Sequence, residues 1–278
     1  MKKNFAVISL VLSVILVFYG ILSVVNLHNN ASFSPEYEII NLDGILNKEI
    51  FSEEDYKTLF YQTGLGKSAI DTLKNSPDFK EAVKEYQENF FNKPDYICSR
   101  EAITTNMEYF ISEDGYLDSG FKIFTPKEGY VLLMESSHSF GWRHGHAGIV
   151  ISNNRVLESP IIGEPSEKYP LYTWSYYPSF VMLRLKDTSE TKLKKIAYDA
   201  EKYLDGIVYN PLAGVFKKEQ GKKPKNVQCA YLVWYAFFNH GIDIDSDGGN
   251  IVTVNDIKNC DLFEVVQIYG YNPDIFWK

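Results

Sequence analysis

The chain has 278 residues, 45% hydrophobic and 15% aromatic, which is enough apolar material for one large domain or two small ones and excludes a disordered polymer. Its formal net charge of −8 at pH 7 repels phosphate backbones and speaks against a nucleic-acid partner. The three cysteines, Cys98, Cys229 and Cys260, are an odd count that leaves at least one thiol without an intramolecular partner.

Residues 5 to 25, FAVISLVLSVILVFYGILSVV, carry no charge, and a helix of that length would cross the roughly 30 Å hydrocarbon layer. The stretch predicts an N-terminal transmembrane signal anchor over 1–26, with secretion after cleavage of a signal peptide as the alternative. Lys2 and Lys3 precede it, so the N-terminus is expected in the cytoplasm and the remainder outside, at the cell membrane. Disulfides persist in such a compartment. Cys98 and Cys260 are then either bridged or separately buried.

Residues 27–120 read as a linker and a small helical region. Ser52-Glu53-Glu54-Asp55 resembles a capping box with Asp in place of Glu, and Gly64 can end that helix. Ser76-Pro77 predicts an N-cap before a proline at the first helical position, followed by Phe79, Ala82, Val83, Tyr86 and Phe90 at helical spacing. From 121 the texture changes to short β-rich runs: YVLLME (130–135), AGIVIS (147–152), RVLES (155–159) and FVMLRL (180–185). A helix follows, with Asp187 as its N-cap, Leu193, Ile196, Ala197, Ala200 and Leu204 on one face, and Gly206 as its stop. A second helix is expected over about 227–240 with Asn226 as N-cap, and FEVVQIY (263–269) is a last strand. The fold class is α+β, an antiparallel sheet with helices over 121–278.

Cys229 falls in the first turn of that second helix, where unpaired backbone N–H groups and the helix dipole favour a thiolate. The same N–H groups suit an oxyanion hole, with Gln228 as a possible side-chain donor. The plain alternative is that Cys229 is a small buried hydrophobe. A base is needed to separate the two.

His146 opens the AGIVIS strand, and Glu158 lies twelve residues later, across a hairpin. Strand parity decides whether they meet. With a simple two-residue Asn153-Asn154 loop they would point to opposite faces. A three-residue loop with Asn154 left-handed, or an equivalent bulge, makes Gly148 face Glu158 and sets His146 diagonally beside it. That register is the one expected. Glu158 would then orient the His146 ring while its other nitrogen takes the proton of Cys229.

GHAGIVI, the step to Glu158 in RVLES, and the helix start QCAYLVWYAF together resemble the permuted branch of the NlpC/p60 papain-like superfamily, the YiiX-like proteins. The resemblance covers about 121–278, and His146 precedes Cys229 as the circular permutation requires. It implies a papain-like α+β fold, Cys229 as nucleophile, His146 as general base, Glu158 as its orienting partner, and Tyr209 near the cleft, with no cofactor. Tyr130 in GYVL stands where the family usually has an acidic residue. The segment 52–110, with LFYQTGLGKSAI, accompanies the domain in a membrane-anchored subset. The implied activity is an amidase or peptidase, with cell-wall peptides or lipid acyl groups as substrates.

Two other readings compete. His144-x-His146 with Glu158 could hold zinc, as the HxH pair of LytM-like peptidases does. Those enzymes also need an earlier His separated by three residues from an Asp, and His240-Gly-Ile-Asp243 is one residue short and on the wrong side of the pair. The second is a membrane-tethered binding module, whose aromatic run Tyr169, Tyr172, Trp174, Tyr176 and Tyr177 would grip sugar or peptide or simply cover a sheet.

Overall fold

The computed structural model describes residues 8–20, 32–101, 105–139, 142–215, 218 and 221–277. Residues 8–20 are helical, while 5–7 and 21–25 of the expected anchor lie outside the described residues. Among the described residues no helix is long and apolar enough to cross a membrane. The single-pass anchor is therefore not supported, nor is the placement of the rest of the chain outside the cytoplasm that followed from it.

Four helices come next: α1 (Asp43–Leu46), α2 (Glu53–Thr63), α3 (Lys67–Leu73) and α4 (Phe79–Phe91). The capping box at α2 is formed, with the Ser52 hydroxyl accepting from the Asp55 amide and the Asp55 carboxylate accepting from the Ser52 amide. Gly64 ends α2 at φ 69°, and a Cβ there would lie 2.3 Å from the Ile268 carbonyl oxygen. α4 begins later than expected. The Ser76 hydroxyl donates to the Asp78 carboxylate instead of capping an amide, and Asp78 is the residue that precedes the helix.

The main sheet has six antiparallel strands in the order β10-β9-β3-β6-β7-β8. They are β3 (Val131–Met134), β6 (His146–Ser152), β7 (Arg155–Glu158), β8 (Glu167–Pro170), β9 (Phe180–Leu185) and β10 (Phe263–Tyr269). The helices α5 (Glu190–Leu204) and α6 (Cys229–Phe238) pack on β6, and α7 (Val254–Lys258) packs on β3. α6 is apolar almost all round, and the core encloses it, with Trp234, Tyr231 and Phe237 wholly buried. Ser189, whose hydroxyl accepts from the Lys192 amide, caps α5 in place of Asp187, which turns the chain at φ 48° after β9.

The β10 edge is covered. Gly64 and Gly66 lie along it, the Ile268 amide donating to the Gly64 carbonyl (2.7 Å) and the Gly66 amide to the Val266 carbonyl (2.9 Å). One continuous apolar cluster runs from Leu42 and Leu59 through the sheet to α6.

A second sheet, β1-β2-β4-β5, is built from β1 (Tyr96–Arg100), β2 (Thr105–Phe110), β4 (Ser137–Ser139) and β5 (Trp142–Arg143). Its first two strands come from the stretch read as linker and helix. Glu108 on β2 takes both Arg143 Nη atoms, at 2.7 and 3.0 Å, which pairs an otherwise buried carboxylate. All three cysteines are free: Cys98 is exposed, Cys260 buried and Cys229 half-buried. The bridged alternative for Cys98 and Cys260 falls.

Candidate active site

β6 and β7 pair so that Gly148 faces Glu158, Ile149 faces Leu157 and Val150 faces Val156, after which Ser152 faces Arg155. The skipped residue is Ile151. This bulge restores the parity that a two-residue Asn153-Asn154 turn alone would have broken. Neither asparagine is left-handed, since Asp187 is the one non-glycine residue with positive φ among those described. The expected register is present by way of its bulge form.

The register puts His146 and Glu158 diagonally on one face. His146 Nε2 donates to Glu158 Oε2 at 2.8 Å, and both side chains are buried, at 6% exposure each. The other carboxylate oxygen is occupied as well. Trp174 Nε1 donates to Glu158 Oε1 at 2.7 Å, and the indole stacks on the His146 ring at 5.6 Å and 20°. Trp174 sits in a 3-10 turn, Leu171–Tyr176, and is wholly buried. Of the aromatic run read as a possible binding surface, it is the wholly buried residue and the one that holds Glu158, with Tyr177 packed edge-on against it.

Glycines make room for this arrangement. A Cβ on Gly148 would lie 2.5 Å from Val156 Cγ1 and 3.1 Å from both Glu158 Cγ and Trp174 Cζ2. Gly148→Ala is therefore expected to cost about 1–3 kcal/mol in urea unfolding and to lower any turnover, because the added methyl displaces Val156 and crowds both Glu158 and Trp174. Unchanged stability would show that the contact is soft. Gly145 holds φ 69° with the Met134 carbonyl 2.5 Å from where its Cβ would stand, so the residue between His144 and His146 must be glycine.

Cys229 is the first residue of α6. The chain before it is held extended: the Val227 amide donates to the Val208 carbonyl, and the Asn210 amide to the Val227 carbonyl. The helix therefore cannot start at Asn226. Gln228 caps it instead, its Oε1 accepting from the Ala230 amide at 2.8 Å and its Nε2 donating to the Val252 carbonyl at 2.7 Å. Both ends of this carboxamide are engaged in fixing the start of the helix. The Cys229 sulfur lies 3.6 Å from Gln228 Oε1, a long and weak contact, and it is near enough to His146 to act on the charge of the imidazole.

Burial disfavours the charged form of His146, but the Cys229 thiol and the Glu158 carboxylate outweigh it and push the imidazole up to about 10. A raised histidine contributes stability in full below its ordinary value of 6.5 and loses it as pH rises through the folded value. The wild type should thus lose urea stability between about pH 6.5 and 10 by more than His146→Asn does. Equal losses would mean that His146 gains nothing from being charged.

Cys229 opens onto a cleft of about 420 Å³ that Tyr209 and His144 also line. Burial, then the nearby Cys229 charge, raise the Tyr209 phenol, so the tyrosine stays neutral. His144 Nδ1 donates to the Gly145 carbonyl at 2.9 Å, leaving Nε2 to accept from the Ser139 hydroxyl at 3.0 Å. Burial holds this imidazole below its ordinary value, and it is neutral. His138 is likewise lowered by burial, with the Arg143 charge adding to it, and its Nε2 lies 3.5 Å from the Cys98 sulfur. Among the described residues the group that could gather around a cation is Asp245, Asp247 and Asp256, and neither His144 nor His146 belongs to it. The structure brings together Cys229, His146 and Glu158, and it does not assemble His144, His146 and Glu158 as a ligand set.

No family model matches the sequence, and no curated protein matches it. Among solved structures, the chain is similar to the crystal structure of the metalloprotein YiiX from Escherichia coli O157:H7, with a TM-score of 0.39 and 15% sequence identity over 51% of this chain and 97% of that one.

Proposed function

We propose that the chain is a papain-like thiol hydrolase of circularly permuted order, acting on amide or ester carbonyls, with Cys229 as nucleophile, His146 as general base and acid, and Glu158 as orienting carboxylate. The observation that carries this reading is the buried Glu158–His146 hydrogen bond of 2.8 Å with, close by, a cysteine on the first turn of an apolar helix at the edge of a cleft. The Cys229 sulfur attacks the carbonyl carbon, first-turn N–H groups of α6 stabilise the oxyanion, and His146 protonates the leaving amine or alcohol as its bond breaks. Water then loses a proton to His146, attacks the thioester and restores the thiol.

Expected cell-wall peptide substrates rested on the family resemblance and on a location outside the cytoplasm, and the second of these supports is gone with the anchor. The reaction class stands on the side chains alone. It is tested by iodoacetamide labelling read at the Cys229 peptide by mass spectrometry. At about pH 6 the wild type should label at least about tenfold faster than His146→Ala. A slow thiol indifferent to His146 would sink the hydrolase and leave a cleft that only binds.

A further inference from the structure

We propose that the outer side of β1 is a dimerisation surface, on which a second copy of this chain adds its own β1 as an antiparallel strand with Ile97 facing Ile97 across a two-fold axis. The proposal stands whether or not Cys229 is a nucleophile. β1 closes one side of the β1-β2-β4-β5 sheet, and its register with β2 runs unbroken from Tyr96 opposite Phe110 to Arg100 opposite Asn106. The Ile111 amide donates to the Asp95 carbonyl at 3.1 Å, and the Glu101 amide to the Thr105 carbonyl at 3.0 Å. Odd-numbered residues of the strand therefore bond to β2, and the N–H and C=O groups of Tyr96, Cys98 and Arg100 point to the outer side. No described residue meets them there.

The strand does not guard that side. It has no proline, lysine or bulge, which are among the devices that keep an unpaired strand from pairing, and Tyr96 and Ile97 are 39% and 43% exposed.

The chain's own β1 is the strand that fits. Two-fold antiparallel pairing needs one residue to face its own copy, which leaves few registers. Centred on Cys98, it sets exposed Asp95 against exposed Glu101 of the second copy at both ends, acid against acid. Centred on Ser99, it sets Glu101 against the apolar Ile97. Centred on Ile97, it sets Lys93 against Glu101 at both ends, Asp95 against Ser99, and Tyr96 over Cys98. Pro94 keeps Lys93 extended, so the lysine continues the strand. The outward groups of Tyr96 and Cys98 then bond to each other across the axis, and the Arg100 amide meets the Pro94 carbonyl. An unrelated strand would have to bring the same charges at the same spacing.

Ile97 shares its face of the sheet with Thr105, Ser139 and Trp142, which line the cleft. A two-fold axis at Ile97 is normal to the sheet. Both clefts of the dimer therefore open on one side of a single continuous sheet.

The test is sedimentation velocity of the full chain up to millimolar concentration, because a contact of about seven residues a side is smaller than a standard interface and pairs weakly. Glu101→Lys and Lys93→Glu should each weaken the dimer at least about fivefold, since each turns two attractions into repulsions. Both substitutions together should restore it. In a Cys98→Ser background, Ile97→Cys should give a covalent dimer on mild oxidation, its disulfide mapped to residue 97 by mass spectrometry, because facing residues of a non-hydrogen-bonded pair stand about 4.5 Å apart at Cα. Ser99→Cys in the same background faces Asp95 and should not.

A chain that stays monomeric at every concentration overturns the proposal. So does an association indifferent to both single reversals, as one through the exposed apolar residues between Ile8 and Tyr19 would be, or one that the double reversal fails to restore. A disulfide at Ser99→Cys without one at Ile97→Cys would put the axis elsewhere and overturn it as well.

Discussion

Cys229→Ala should lower kcat on the best acyl ester by at least about 1000-fold, and His146→Ala should come close to it. The larger point is what happens when both are removed. Groups that act as a unit fail together, so Cys229→Ala/His146→Ala should be no slower than the worse single variant, with the remaining activity owed to binding and to the helix N–H groups. Circular dichroism is expected to show all three variants folded, because a half-buried cysteine and a pre-formed hairpin are the only parts disturbed. Multiplying losses in the double variant would mean that the two side chains act in separate steps or that neither touches the reaction.

The second large effect is at Trp174. Truncation of this wholly buried indole to alanine should cost about 3–5 kcal/mol in urea unfolding, because it opens a cavity beneath β6 and β7. Trp174→Phe separates packing from hydrogen bonding. It keeps an aromatic plane near His146 but leaves Glu158 Oε1 without its indole donor, a loss of about 1–3 kcal/mol for a buried charged acceptor. If Trp174 positions Glu158, Trp174→Phe should also shift the pH profile of Cys229 alkylation toward that of Glu158→Gln. A fall in stability with an unmoved profile would reduce Trp174 to a packing residue.

The parts of the site that strand arithmetic reaches were readable in advance. His146 and Glu158 share a face if the hairpin carries one residue more than a two-residue turn needs, and the pairing of Gly148 with Glu158 is that register. The helix at Cys229 was readable from its apolar run, but its first residue was not. The extended backbone at Val227 is set by pairing with Val208 and Asn210, far enough away in sequence to leave no local sign. Trp174 was hidden for a similar reason. Nothing in LYTWSY distinguishes the one ring that turns inward, because a 3-10 turn has no apolar stripe long enough to read. The β1-β2-β4-β5 sheet escaped because β1, YICSR, is mostly exposed and carries no alternation, while β5 is two residues long. Asp187 and Asn226 were plausible caps by type, and the structure places one in a left-handed turn and the other before an extended stretch.

The contacts of Gly64 and Gly66 with β10 bear on how small this protein can be made. A Cβ at Gly66 would stand 1.8 Å from the Val265 carbonyl, so backbone lies directly on backbone there, and the helical region closes the sheet as an additional strand would. Stripped of residues 32–91, β10 would offer a row of open amides and carbonyls to any passing strand, its own copies first. The smallest fragment that stays monodisperse is thus longer than the fragment that holds the chemistry, and deletion mapping by activity would mistake a solubility element for a catalytic one.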